Sequence, residues 1–155
     1  MTWVECMQIV TGIIGSLGFS ILFNIRGSKL VAIALGSGFG WLLFLLLDHA
    51  LHSEPLAYFI VALVISLYAE IAARVLKAPT TIFITPSLMP LIPGASLYYT
   101  MTYALDRNTG RFVEKAIDTL ALASALALGV ILSAIVMRLI TKIFLTKPVQ
   151  HQKGE

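Results

Sequence analysis

Cysteine is nearly missing from this chain. Cys6 stands alone among 155 residues, which excludes an internal disulfide and a cysteine-rich metal centre, and it reads as a small apolar residue within a helix. Charge is scarce as well: 12% of the residues are charged and 58% are hydrophobic. A soluble domain of this length cannot hide so much apolar surface. Also absent are HExxH, a nucleophile elbow and a cysteine–histidine pair, which disfavours an intramembrane enzyme. No cofactor is implied. The net charge of +3 and pI near 9.2 do not point to nucleic acid, because Lys and Arg sit at the ends of apolar segments rather than on one face. That placement is a topology signal.

What is present is apolar sequence in membrane-sized blocks, with a mean hydropathy of +0.90. Five segments run from Trp3 to Phe23, Leu30 to Leu47, Leu56 to Leu76, Ile82 to Met101 and Thr119 to Ile140. Each is near the ~20 residues that cross a hydrocarbon core of ~30 Å. The expected fold is therefore an all-α integral membrane protein of about five transmembrane helices in a lipid bilayer. Residues 1–143 form one membrane domain and 144–155 a polar cytoplasmic tail. The first segment carries Glu5 and no basic residue before it, so it reads as an uncleaved first helix with its amino terminus outside. On that topology Arg26, Lys29, Arg74, Lys77, Arg138, Lys142, Lys147 and Lys153 lie inside, leaving Arg107, Arg111 and Lys115 outside. A re-entrant fourth segment gives a weaker split.

Small residues recur four apart at Ala32, Gly36 and Gly40, and again at Ala121, Ala125, Gly129 and Ser133. Such stripes let helix backbones approach closely. They serve packing within the chain, with homo-oligomer contact through Gly36 and Gly40 as the alternative.

"TPSLMPLIPGASLYYTM", residues 85–101, breaks its own helix. Pro86, Pro90 and Pro93 lack amide protons and strip donors from the carbonyls of Ile82, Pro86 and Met89. Bare carbonyls are tolerated in a membrane only against protein or a wet cavity. A new half-helix starting near Gly94, Ala95 and Ser96 presents free amides and a positive dipole end to a carboxylate. Interrupted helices of this kind form substrate sites near the midplane of many transporters.

Other candidates flank the break. Glu70 and Arg74 are four apart on one helix face, either as a pair snorkelling at the inner boundary or as a proton-accepting carboxylate tuned by its arginine. Asn24 ends the first segment and either caps a helix or lines the inner mouth of a pathway. "DHALHSEP", with Asp48, His49, His52 and Glu54, reads as a solvated turn. An outward metal site and pH sensing by the histidines are its functional alternatives.

"GFSILFN" at 18–24, the basic link, "GSGFG" at 36–40 and "PLIPGASLYYTM" at 90–101 together resemble the threonine/serine exporter family. The match is to its carboxyl-terminal membrane domain in the stand-alone small-subunit form, over roughly residues 10–140. The resemblance implies a bacterial inner-membrane secondary exporter of small polar metabolites, of the threonine/serine type or small dicarboxylates. It implies a second membrane subunit that supplies the amino-terminal family domain, and it carries over Asn24, Pro90, Pro93 and Gly94. With no nucleotide-binding motif, the energy would come from an ion or proton gradient. The alternative is a structural or assembly subunit without its own pathway.

Overall fold

The computed structural model describes residues 3–145, with side chains through Ile143. Every regular element among the described residues is helical. They are α1 (Trp3–Leu22), α2 (Ser28–Leu51), α3 (Glu54–Val75), α4 (Thr81–Leu88), a 3₁₀ turn (Met89–Leu91), α5 (Gly94–Leu105) and α6 (Thr109–Leu145). Four of the helices are long and apolar enough to cross a membrane. The pair Thr81–Leu91 and Gly94–Leu105, bent by 56°, makes a fifth candidate. The all-α membrane fold with an interrupted fourth segment is therefore present.

Left-handed residues end the helices. Asn24 (φ 56°) closes α1, and Ile25 N–H then donates to Ser20 O at 2.9 Å. Lys77 (φ 48°) closes α3, with Ala78 N–H donating to Ala73 O at 3.0 Å. Asn is suited to this conformation because its short polar side chain bonds locally. Pro55 falls in the first turn of α3, where its missing amide proton costs nothing.

Two expected boundaries move. α6 begins at Thr109 rather than Thr119, because its charged opening is a good helix in water: Arg111 N–H donates to Asn108 Oδ1 at 3.4 Å, and Lys115 Nζ lies 3.5 Å from Asp118 Oδ2. α6 also runs to Leu145, past the expected start of the tail at 144; residues 146–155 lie outside the described residues.

The glycine stripes are used within the chain. A Cβ on Gly36 would lie 2.8 Å from Tyr68 Cε1 and 3.0 Å from Ser87 Oγ, and one on Gly40 would collide with Ile65 Cδ1. Tyr68 O–H donates to Ala32 O at 2.8 Å. The face offered to a second copy through Gly36 and Gly40 is thus filled by α3 and α4, which removes it as a surface for homo-oligomer contact.

α3 and α6 run parallel. A Cβ on Gly129 would lie 2.6 Å from Phe59 O, and further along both helices Arg74 Nη2 donates to Thr141 Oγ1 at 2.6 Å. If both cross a bilayer in one direction, the segment between them must cross in the other. A re-entrant α4–α5 would deliver α6 antiparallel to α3. With Cys6 replaced, cysteines at His52 and Arg107 should therefore label with an impermeant thiol reagent from the same side, and one at Lys77 from the other. Labelling of Arg107→Cys together with Lys77→Cys would contradict five crossings.

Two apolar clusters fill the body. One holds Phe44, Tyr58, Val61, Ile65, Leu91 and Leu122, with Phe44 and Tyr58 edge-to-face at 4.9 Å. The other holds Ile25, Ile33, Ala69, Ala73 and Phe83. The broken segment serves both, with Phe83 in one and Leu91 in the other.

Candidate functional site

α4 lies against α1, and their contact sets the depth of the break. A Cβ on Gly12, halfway along α1, would lie 3.4 Å from Pro90 Cβ. A Cβ on Gly40, halfway along α2, would lie 3.7 Å from Leu91 Cδ1. The break thus sits at mid-depth of the helical body.

The carbonyls that the prolines strip of donors are mostly recaptured. Met89 N–H donates to Pro86 O, and Ile92 N–H donates to Met89 O at 3.3 Å. These tighter i to i−3 bonds are those of a 3₁₀ turn, so the expected row of bare carbonyls for an ammonium does not form at Pro86 and Met89. Ile82 lines a cleft.

That cleft, about 320 Å³, opens beside the α1–α2 link. Asn24, Arg26 and Lys29 come from the link and the first turn of α2; Thr81, Thr85 and Pro86 come from α4. Asn24 both terminates α1 and lines the cleft. Among the described lining residues there are two cations, two threonine hydroxyls, one amide and no acid. Such a set donates hydrogen bonds to a carboxylate, with the guanidinium able to do so in bidentate fashion.

A second cleft, about 280 Å³, is lined by Gln8, Thr11, Gly12, Trp41 and Pro90. It lies on the other side of the Gly12–Pro90 contact, toward the α1 amino terminus. The residues expected to form one site around the break are thereby separated. Asn24 and Pro86 share the first cleft and Pro90 lines the second. Pro93 is buried, Gly94 is exposed and Ser96 is half-buried. Neither Gly94 nor Ser96 lines any cleft described here, and the Gly94 amide is taken by Ile92 O at 2.6 Å.

Glu70 and Arg74 line a third cleft, about 520 Å³, between α3 and α6, with Arg138, Thr141 and Lys142. The two share a face as expected, but no ion pair joins them among the described residues. Arg74 reaches across to Thr141 Oγ1 instead, as a long side chain at a helix end can. The expected turn at 48–55 shrinks to His52 and Ser53, because α2 runs on to Leu51 and α3 starts at Glu54. His49, on α2, has Nδ1 2.7 Å from Leu45 O and Nε2 3.8 Å from Glu5 Oε1. No group of three or more His, Cys, Asp or Glu among the described residues is placed to hold a metal.

Arg26, Lys29, Thr81 and Thr85 were not singled out as binding residues from sequence; the two basic ones read only as topology signals. Helix spacing is the signal that finds the cleft's path. Gly12, Ser16, Ser20 and Asn24 are four apart, the same pattern noted on α2 and α6.

No curated protein and no solved structure matches the chain. The sequence model of the family described as Threonine/Serine exporter, ThrE, matches residues 8–136, a range that contains α2 through α5 and most of α1 and α6. The chain belongs to the threonine/serine exporter family.

Proposed function

We propose that this multi-pass membrane transporter is one subunit of a secondary-active exporter of small polar metabolites, either amino acids of the threonine/serine type or small dicarboxylates. The cargo binds in the cleft between the α1–α2 link and α4. The observation that carries this reading is the pairing of Arg26 and Lys29 with Asn24, Thr81 and Thr85 beside Pro86. Two cations without an acid suit a carboxylate, and the threonine hydroxyls supply partners for hydroxyl or ammonium groups. Family membership supports the transport role and the small-molecule cargo.

The finer assignments belong to the same proposal. The protein sits in a bacterial inner membrane with the amino terminus outside, so the basic cleft faces the cytoplasm and an exported solute meets it first. The basic ends of α1–α2 and α3 support that orientation. A second membrane subunit of the family completes the machine. Its contact surface is supported by α5, which has no buried residue and exposes Leu97, Tyr98, Met101 and Leu105. The protein has no catalytic chemistry of its own.

The test is efflux of threonine, serine and a four-carbon dicarboxylate from loaded cells that express the chain from its own locus, against cells lacking it. Faster efflux of at least one solute in the presence of the chain is expected. Equal rates for all three would remove the reading and leave an assembly subunit.

Glu70 is the proposed coupling group, since it lines a cleft at the same end without an ion-pair partner among the described residues. Glu70→Gln should abolish efflux driven by an imposed pH gradient while leaving the amount of assembled protein unchanged. Normal flux across a range of gradients would rule out the proton role.

A further inference from the structure

Buried hydroxyls line the region between the first two clefts. Ser16 and Ser20 on α1 are 0% exposed, as is Ser87 on α4. Ser20 Oγ donates to Ser16 O at 2.7 Å. Ser16 Oγ and Ser87 Oγ have no hydrogen-bond partner, and neither has Trp41 Nε1, which is buried in the wall of the second cleft. Four buried side-chain polar atoms among the described residues lack partners, Ser66 Oγ being the fourth. Three of the four therefore fall along this one path.

The register explains why. Gly12 meets Pro90, and Asn24 shares a cleft with Ile82 and Pro86. On antiparallel helices the intervening Ser16 and Ser20 then face the stretch from Pro90 back to Ile82. Ser87 Oγ points toward Gly36 of α2, 3.0 Å from where a Cβ would stand. A buried hydroxyl without a partner is costly and calls for an explanation. Helix contact alone would be served as well by alanine, which has no such cost.

Resting on the exporter reading above, we propose that the seam along Ser16, Ser20 and Ser87 is the closed middle of the pathway between the two clefts. When α4 parts from α1 and α2, these hydroxyls exchange hydrogen bonds with a small hydrogen-bonding solute. Each can donate and accept, so each can replace a water that the solute sheds. Glycine and serine side chains keep the passage narrow, which selects a short, unbranched or singly branched polar cargo over one with a bulky apolar group. Pro86 and Pro90 serve the opening, because a segment already short of backbone bonds bends at less cost.

The test uses Cys6→Ala protein expressed from its own locus, carrying Ser16→Cys, Ser87→Cys or, as control, Ser133→Cys. Ser133 is equally buried but lies on α6, with its hydroxyl satisfied by Val130 O at 2.8 Å. During efflux a small water-soluble thiol reagent should label positions 16 and 87 at least about tenfold faster than 133, since reaction follows access, and labelling should block flux. Efflux with positions 16 and 87 no more reactive than 133 would overturn the seam and leave the exporter reading standing. Fast labelling at 16 and 87 without efflux of any tested solute would overturn that reading and keep the seam as a wet path. Neither labelling nor efflux would overturn both. Two independent positions guard against one substitution failing to fold.

Discussion

Gly129→Leu should leave little assembled protein, while Gly15→Leu should leave a normal amount. The difference lies in what a side chain would meet. At Gly129 the first added carbon would stand 2.6 Å from the Phe59 carbonyl oxygen, 2.8 Å from Ala62 Cβ and 3.0 Å from Leu63 N. Two of these are backbone atoms, which cannot rotate aside, so α6 must move off α3 as a unit. Even alanine forces a shift of the kind that costs about 1–3 kcal/mol in a close-packed interior, and leucine adds three further carbons at the same point. Separation of the two helices also breaks the Arg74–Thr141 bond and lifts Leu122 from the cluster of Tyr58 and Val61. At Gly15 nothing lies within 4 Å. The amount of monodisperse protein recovered in mild detergent measures the contrast, and equal recovery of the two variants would show that α3 and α6 are not held by this contact.

Export by the Arg26→Gln, Lys29→Gln double variant should fall in apparent affinity by about a hundredfold, with assembly intact. Arg26 is exposed and Lys29 half-buried, so each charged hydrogen bond to a bound carboxylate is taken at the low end of the usual ~1.5–3 kcal/mol. Two such bonds correspond to about two powers of ten in affinity. The loss should appear as a raised concentration for half-maximal efflux. Arg111→Gln, at the far end near the start of α6, should leave that concentration unchanged. A similar loss from Arg111→Gln would mean that overall charge acts, rather than the cleft.

Much of the architecture was legible in the sequence because lipid imposes a simple rule: a crossing helix must be long and apolar. α1, α2 and α3 begin and end within a few residues of the hydropathy segments for that reason. The first turns of α6 escaped the rule. Arg111, Glu114, Lys115 and Asp118 look like a loop to hydropathy yet make a sound helix in water. The interruption at Pro86, Pro90 and Pro93 was legible because proline chemistry is local. Its consequence was not. Recapture of Pro86 O and Met89 O by the 3₁₀ turn depends on how far the chain tightens, which the residue types do not state. The cleft was legible only in parts. Asn24 and Pro86 stood out separately, but their meeting depends on α1 lying antiparallel to α4. Arg26 and Lys29 were hidden because a topology signal and a ligand look alike in one dimension. Glu70 and Arg74 show the converse, since helical spacing put them on one face while the real partner of Arg74, Thr141, is far away in sequence.

The central claim is that cargo binds in the cleft beside Pro86, and the rate of alkylation of a cysteine placed there tests it most directly. In a Cys6→Ala background, Thr85→Cys is labelled in membranes with and without a solute that the same protein exports. At about ten times its dissociation constant the solute should slow labelling about tenfold, as occupancy requires, and the protection should vanish in the Arg26→Gln, Lys29→Gln protein. An unchanged labelling rate at saturating concentrations of an exported solute would contradict the account.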